Sequence, residues 1–196
     1  MTGPPDPAAP AADGVADVLA PGVRLLLCGI NPGQRTGATG HHFAGRSNRF
    51  WPALYASGLT PRLLAPAEQA ELTRLGIGIT NLVGRTTNRA SEVSREELAA
   101  GAERLRAVTA AYRPAVGAVL GVTAFRAAFA RRDAQLGEQQ GLPGPARWWV
   151  LPNPSGLNAH ARPGDHARGF AEVGRAAGLL AAPHATAVTT SKEGHW

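Results

Sequence analysis

Apolar residues fall into four short runs, at 24–28, 78–82, 115–120 and 148–151, each bounded by Gly, Pro or Asn. Runs of this length without a sustained polar/apolar alternation describe strands buried on both faces. Between and after them the apolar positions recur with helical spacing, which predicts helices over 47–57, 66–75, 95–112, 123–130 and 164–180. Ser94 and Glu97 form a capping box ahead of the third of these, and Leu98, Leu105 and Val108 give that helix one apolar face. Strands separated by helices imply an α/β fold, a three-layer α/β/α arrangement around a mostly parallel four-stranded central sheet. Residues 1–17 and 182–196 carry no hydrophobic period and are expected to be a disordered N-terminal tail and a flexible C-terminal tail. The folded domain is therefore expected at 18–181, and no internal repeat interrupts it.

This pattern places two Asn-Pro loops with purpose. Gly29-Ile30-Asn31-Pro32-Gly33 leaves the carboxyl end of the first strand, and Asn153-Pro154-Ser155-Gly156-Leu157-Asn158 leaves that of the last. In an open α/β sheet, ligands bind in the crevice beyond the carboxyl ends of the strands, so the two loops are expected to share one site.

Charge sharpens the picture. The 20 Lys and Arg exceed the 14 Asp and Glu, for a net charge of +6. The first twenty residues hold three Asp and no Lys or Arg, so the excess lies in the expected domain. A polyanion is one reading of that surface, and Arg-rich composition without a partner is the other. The single cysteine, Cys28, excludes an intrachain disulfide and a four-cysteine metal site, and is expected to pack at a strand end. Neither a secretory leader nor an apolar stretch long enough for a bilayer is recognisable, so a cytoplasmic protein with no membrane partner is expected.

Four segments then carry a resemblance in order: Gly29-Ile30-Asn31-Pro32-Gly33, Gly40-His41-His42-Phe43, Ser47-Asn48-Arg49-Phe50-Trp51 and Leu151-Pro152-Asn153-Pro154-Ser155-Gly156-Leu157. From about Leu19 to Leu180 the chain resembles the mismatch-specific uracil/thymine DNA glycosylases of the uracil-DNA glycosylase superfamily. The resemblance implies the corresponding fold and a hydrolase that flips a wrong base out of double-stranded DNA and cleaves its N-glycosidic bond. It places the catalytic Asn at Asn31. A carboxamide can orient a water but cannot take its proton as a carboxylate would, which implies slow chemistry. Read on its own, Asn31 before Pro32 would simply shape a turn.

The remaining assignments follow the same resemblance. Phe43 stacks on the flipped base, unless it is a core residue, and the backbone N–H of Ile30 contacts that base. His42 contacts phosphate or helps to orient the water, with a solvated loop histidine as the plain alternative. Asn81, after the second strand, hydrogen-bonds the pyrimidine, or else caps the strand end. Asn153 stands where some relatives carry a His that stabilises the base anion. Ser155 meets the flanking phosphate, Gly156 lets the backbone approach DNA, Leu157 fills the gap left in the stack, and Asn158 completes this DNA-binding loop. His41 and His42 are adjacent in a loop and lack a supporting Cys, while His160 and His166 lie elsewhere, so no metal is expected.

The sequence-level expectation is thus a monomeric, monofunctional glycosylase without cofactor, acting on uracil in G·U mismatches. Thymine in G·T mismatches and ethenocytosine extend the substrate range. Lys192 is the only lysine and lies in the expected tail, which argues against lyase chemistry through a Schiff base. Two rival readings remain: a sensor that holds damaged bases with negligible turnover, and a glycosylase specialised for single-stranded uracil or hypoxanthine.

Overall fold

The computed structural model describes residues 14–142, 144–158 and 161–182. Four of its strands, β1 (Leu25–Gly29), β2 (Ile77–Asn81), β3 (Val116–Leu120) and β5 (Arg147–Leu151), coincide with the four apolar runs to within a residue or so. They pair in parallel, in the spatial order β2-β1-β3-β5. Side chains alternate across the sheet. Leu25, Leu27, Trp149 and Leu151 enter one core with Phe50 and Leu54 of helix α2 (Phe50–Ala56) and Phe170 and Val173 of α6 (Pro163–Ala176). Leu26, Cys28, Trp148 and Val150 enter the other with Leu98, Leu105 and Val108 of α4 (Arg95–Tyr112) and Phe125 of α5 (Val122–Ala128). Both faces of every central strand are covered, which is why these strands read as runs rather than alternations.

The capping box of α4 is present: the Glu97 backbone N–H donates to Ser94 Oγ at 3.1 Å, and Glu97 Oε2 accepts from the Ser94 N–H at 2.8 Å. Three expectations need correction. The sheet has five strands, not four, because β4 (Gly137–Gln139) adds an antiparallel edge to β5. Its three residues carry no apolar signal, since an edge strand is not obliged to bury either face. The predicted helix over 66–75 is a 3₁₀ turn, Pro66–Glu68, followed by the short α3, Glu71–Arg74, and α1 (Gln34–Thr39) forms where no helix was expected.

The third correction concerns the N-terminal tail. Residues 1–13 and 183–196 lie outside the described residues, but the segment from Gly14 to Asp17 packs against the domain rather than belonging to a tail. Val15 and Val18 are buried, and Val18 exchanges two 2.9 Å backbone hydrogen bonds with Ile79 of β2. Asp17 accepts from Arg104 Nη2 at 2.5 Å and from the Thr80 hydroxyl at 2.8 Å, so charge pairing holds a segment that has little hydrophobic content.

The connectivity matters for function. From β1 the chain crosses to β2 on one side, and β3 lies on the other. The carboxyl ends of β1 and β3 therefore border a topological switch point, where connecting loops diverge and leave a crevice.

Candidate active site

The crevice holds a cavity of about 210 Å³. Its wall brings together Ile30, Asn31, His42, Phe43, Asn81, Asn153, Ser155, Gly156 and Leu157, which are spread over more than 120 positions of the chain. Asn158 does not line it.

Asn31 is the most firmly held of these. Its Nδ2 donates to Thr87 Oγ1 at 2.7 Å, to the Pro32 carbonyl at 3.0 Å and to the Arg85 carbonyl at 3.3 Å. The Thr87 hydroxyl in turn donates to the Arg89 carbonyl at 2.8 Å, so Asn31 meets its lone pair. Three acceptors around one nitrogen fix which end of the carboxamide is which. Oδ1 is left as the acceptor available to a water. An aspartate here would set an oxygen against the same three oxygens. The loop is also pinned from outside, through the Thr87 N–H donating to the Pro32 carbonyl at 3.1 Å.

Phe43 forms the adjoining wall. Its ring is half-buried and stacks on Phe50 with centroids 3.9 Å apart and an angle of 15°, so Phe50 backs it and leaves its other side to the cavity. Phe43 also adopts a left-handed backbone, φ 54°, unusual for an aromatic residue and of a kind that clusters at ligand clamps. Its loop is tethered on both sides: the His42 N–H donates to Gln69 Oε1 at 2.7 Å, and Trp51 Nε1 donates to the His42 carbonyl at 3.1 Å.

His42 itself departs from expectation. The side chain is buried, with Nε2 3.0 Å from the Ala16 carbonyl and Nδ1 3.4 Å from Asn81 Nδ2. Both ring nitrogens are engaged inside the protein, so neither is free for a phosphate or a water. Burial holds its pKa below the ordinary value. The segment that captures it, around Ala16, carries no hydrophobic period, so the sequence offers no internal partner for the ring and points it to phosphate or water, with solvent as the alternative. Asn81 is buried at the end of β2, its backbone carbonyl taken by Arg104 at 3.0 Å. Its carboxamide lies across Gly29, where a Cβ would collide with Oδ1 and press on the Phe43 ring.

The second loop is built differently. Asn153 Oδ1 accepts from the Ser155 N–H at 2.9 Å, and Asn158 Nδ2 donates to the Asn153 carbonyl at 2.9 Å. Asn153 thus spends its oxygen on the turn and keeps its Nδ2 donor for a ligand in the cavity. Asn158 closes the loop from within. Ser155 Oγ accepts from the Leu157 N–H at 3.3 Å. Leu157 is 78% exposed, more than any other large apolar side chain among the described residues. Beneath it, the Arg49 N–H donates to the Pro154 carbonyl at 2.9 Å, and Arg49 Nη1 donates to the carbonyls of Asn158 at 3.1 Å and Ala161 at 2.9 Å. Gly156 lies so close to Ser47 that any Cβ would overlap it.

Thr87 and Arg49 are the supporting residues that sequence reasoning missed. Thr87 sits in an aperiodic loop with nothing to single it out. Arg49 stood inside a matched motif, but its contacts depend on a loop more than a hundred residues away. At the mouth, Arg35 and Arg89 are exposed and line the opening. Burial pushes the Cys28 thiol far up, so it is no nucleophile. Among the described residues there is no group of three His, Cys, Asp or Glu side chains able to hold a metal, and no helix long and apolar enough to cross a membrane. Residues 16–173 match the family model described as Uracil DNA glycosylase superfamily.

Proposed function

The chain belongs to the uracil DNA glycosylase superfamily, and from that premise we propose that it is a monofunctional, mismatch-directed glycosylase that removes uracil, and thymine more slowly, from mispairs with guanine in double-stranded DNA. The observation that carries this reading is the Asn31 carboxamide, locked by three acceptors with its oxygen free beside an aromatic platform.

The duplex docks with its phosphates toward Arg35 and Arg89. A G·U wobble unstacks at lower cost than a matched pair, and Leu157 enters the space the uracil leaves. The extruded base lies against Phe43, and such stacking is worth about 1–3 kcal/mol. Asn31 Oδ1 accepts a hydrogen bond from a water and holds it against the anomeric carbon. No carboxylate assists, so the bond to the base lengthens and the sugar gains positive character before the water adds; the water's oxygen bonds to the anomeric carbon, and the proton it sheds is taken up, through solvent, by the departing base anion. The departing base carries negative charge, which Asn153 Nδ2 and backbone N–H groups stabilise by donating to it. Products are the free base and an abasic site. The protein acts as a monomer, without metal or cofactor, in the cytoplasm and on the nucleoid.

The test is incubation of the protein with end-labelled duplexes carrying G·U, G·T, A·U, G·ethenocytosine or hypoxanthine, followed by alkaline cleavage. G·U is expected to be cut first and fastest. Binding of G·U duplex without release of uracil would favour a sensor instead, and preference for a single strand would remove the mismatch assignment.

A further inference from the structure

We propose that His42 is a positioning residue that fixes the Asn81 carboxamide with its oxygen toward the cavity, so that the pocket reads an N–H donor on the edge of the flipped base. The proposal rests on the cavity being a flipped-base pocket and specifies what that pocket selects.

A chain of fixed polarities leads from the backbone to the base. The Ala16 carbonyl can only accept, so the His42 Nε2 that lies 3.0 Å from it carries the hydrogen. In a neutral ring this makes Nδ1 an acceptor. The Asn81 group facing Nδ1 at 3.4 Å must then be the NH₂, and Oδ1 must be the end that lies over Gly29 beside Phe43. The backbone on either side cannot drift to relax this. Val18 pairs with Ile79 on both its N–H and its carbonyl, and Arg104 ties Asp17 to the Thr80 hydroxyl and the Asn81 carbonyl. One carbonyl in the N-terminal segment thereby sets the polarity of a side chain in the pocket.

The chemical consequence is selective. Uracil and thymine present an imide N3–H, a donor that matches Oδ1. In 3,N4-ethenocytosine a CH=CH unit bridges N3 and N4, so the position that carries N3–H in uracil is filled by carbon and offers Oδ1 no N–H. An unmodified cytosine presents a bare N3. A buried oxygen left without a donor, or set against the bare N3 of cytosine, is costly, so the pocket rejects such bases more strongly than shape alone would.

Two measurements test this on the full chain. In a long-range ¹⁵N–¹H correlation spectrum of the wild-type protein at neutral pH, His42 is expected as the neutral Nε2–H tautomer, and an Nδ1–H tautomer would overturn the proposal whatever any variant does. In single-turnover assays, His42→Leu frees Asn81 to turn its NH₂ into the pocket. Excision of uracil from G·U is expected to fall about tenfold, the loss of one hydrogen bond of ordinary strength, while excision of ethenocytosine holds or rises. An equal fall on both substrates would make His42 merely structural. If the wild type releases uracil but the ratio does not move, this inference fails alone; if it releases no base at all, the glycosylase reading fails first.

Discussion

The two loops that meet at the cavity solve opposite problems. The first, around Asn31, places one functional group and surrounds it: three acceptors hold the nitrogen, and the 85–89 segment braces the turn. The second, 153–158, is braced at its base by Arg49, by its own asparagines and by Ser155, and presents a bare leucine at its tip. A water that must lie in line with a breaking bond needs a partner fixed to a fraction of an ångström. A wedge needs only reach and apolar surface, because base pairs on either side supply the order. The comparison teaches that rigidity here is allotted by task, and each loop can be broken in its own way.

The largest effect is expected at the first loop. If Asn31 orients the water and holds no DNA, as proposed, Asn31→Ala should slow release of uracil more than about a hundredfold while leaving duplex affinity within about twofold. Single-turnover excision and gel shift measure the two. Retention of a tenth of the rate, a barrier change of only about 1.4 kcal/mol, would assign the chemistry to another group.

Thr87→Val sharpens the same point with a near-isosteric change that removes one of the three acceptors. A loss of about 1 kcal/mol, close to a factor of five to ten in single-turnover rate, is expected without change in DNA affinity. An unchanged rate would mean that Pro32 and Arg85 suffice to hold the carboxamide.

Arg49→Ala tests the second loop from below. The carbonyls of Asn158 and Ala161 lose the Arg49 guanidinium, so the loop loosens and duplex excision should fall several-fold, while excision from a single-stranded oligonucleotide should hold. Equal loss on both would show that Arg49 supports the whole domain and not the wedge.

The smallest effect is in pH. Burial is the main cause that lowers the pKa of both His42 and His166 below the ordinary 6.5; Asp17, which Arg104 pairs, pulls His42 back, and Arg49 lowers His166 further. A histidine with a depressed folded pKa binds its proton in the unfolded chain first. Stability is therefore fully present above about pH 6.5 and is lost as pH falls from there through the folded values. Urea midpoints should be flat from about pH 8 to 7 and decline below about 6.5; a midpoint that rises on acidification would contradict the burial of these rings.

Much of the framework was legible because it is local. The four central strands read as apolar runs, the α4 capping box as Ser94 and Glu97, and the two Asn-Pro loops landed in one crevice because parallel strands put their carboxyl ends together. What escaped depended on distant contacts or on weak local signals. Strand β4 has no buried face to announce it. His42 reads as a contact to phosphate or water, or as a solvated loop histidine, because its partner, the Ala16 carbonyl, lies in a segment whose packing rests on Asp17 and Arg104, and no periodicity encodes an ion pair across 87 positions. Thr87 and Arg49 belong to the same class, since each matters through what it holds.

The most direct measurement sets Asn31→Ala and Leu157→Ala against two substrates, a G·U duplex and a single-stranded oligonucleotide containing uracil, under single-turnover conditions. Asn31→Ala should lose activity on both substrates alike, because a single strand still needs the water. Leu157→Ala should lose it on the duplex alone, because a single strand leaves no gap to fill. If Leu157→Ala slows both substrates equally, or Asn31→Ala spares either, chemistry and base extrusion are not divided between the two loops.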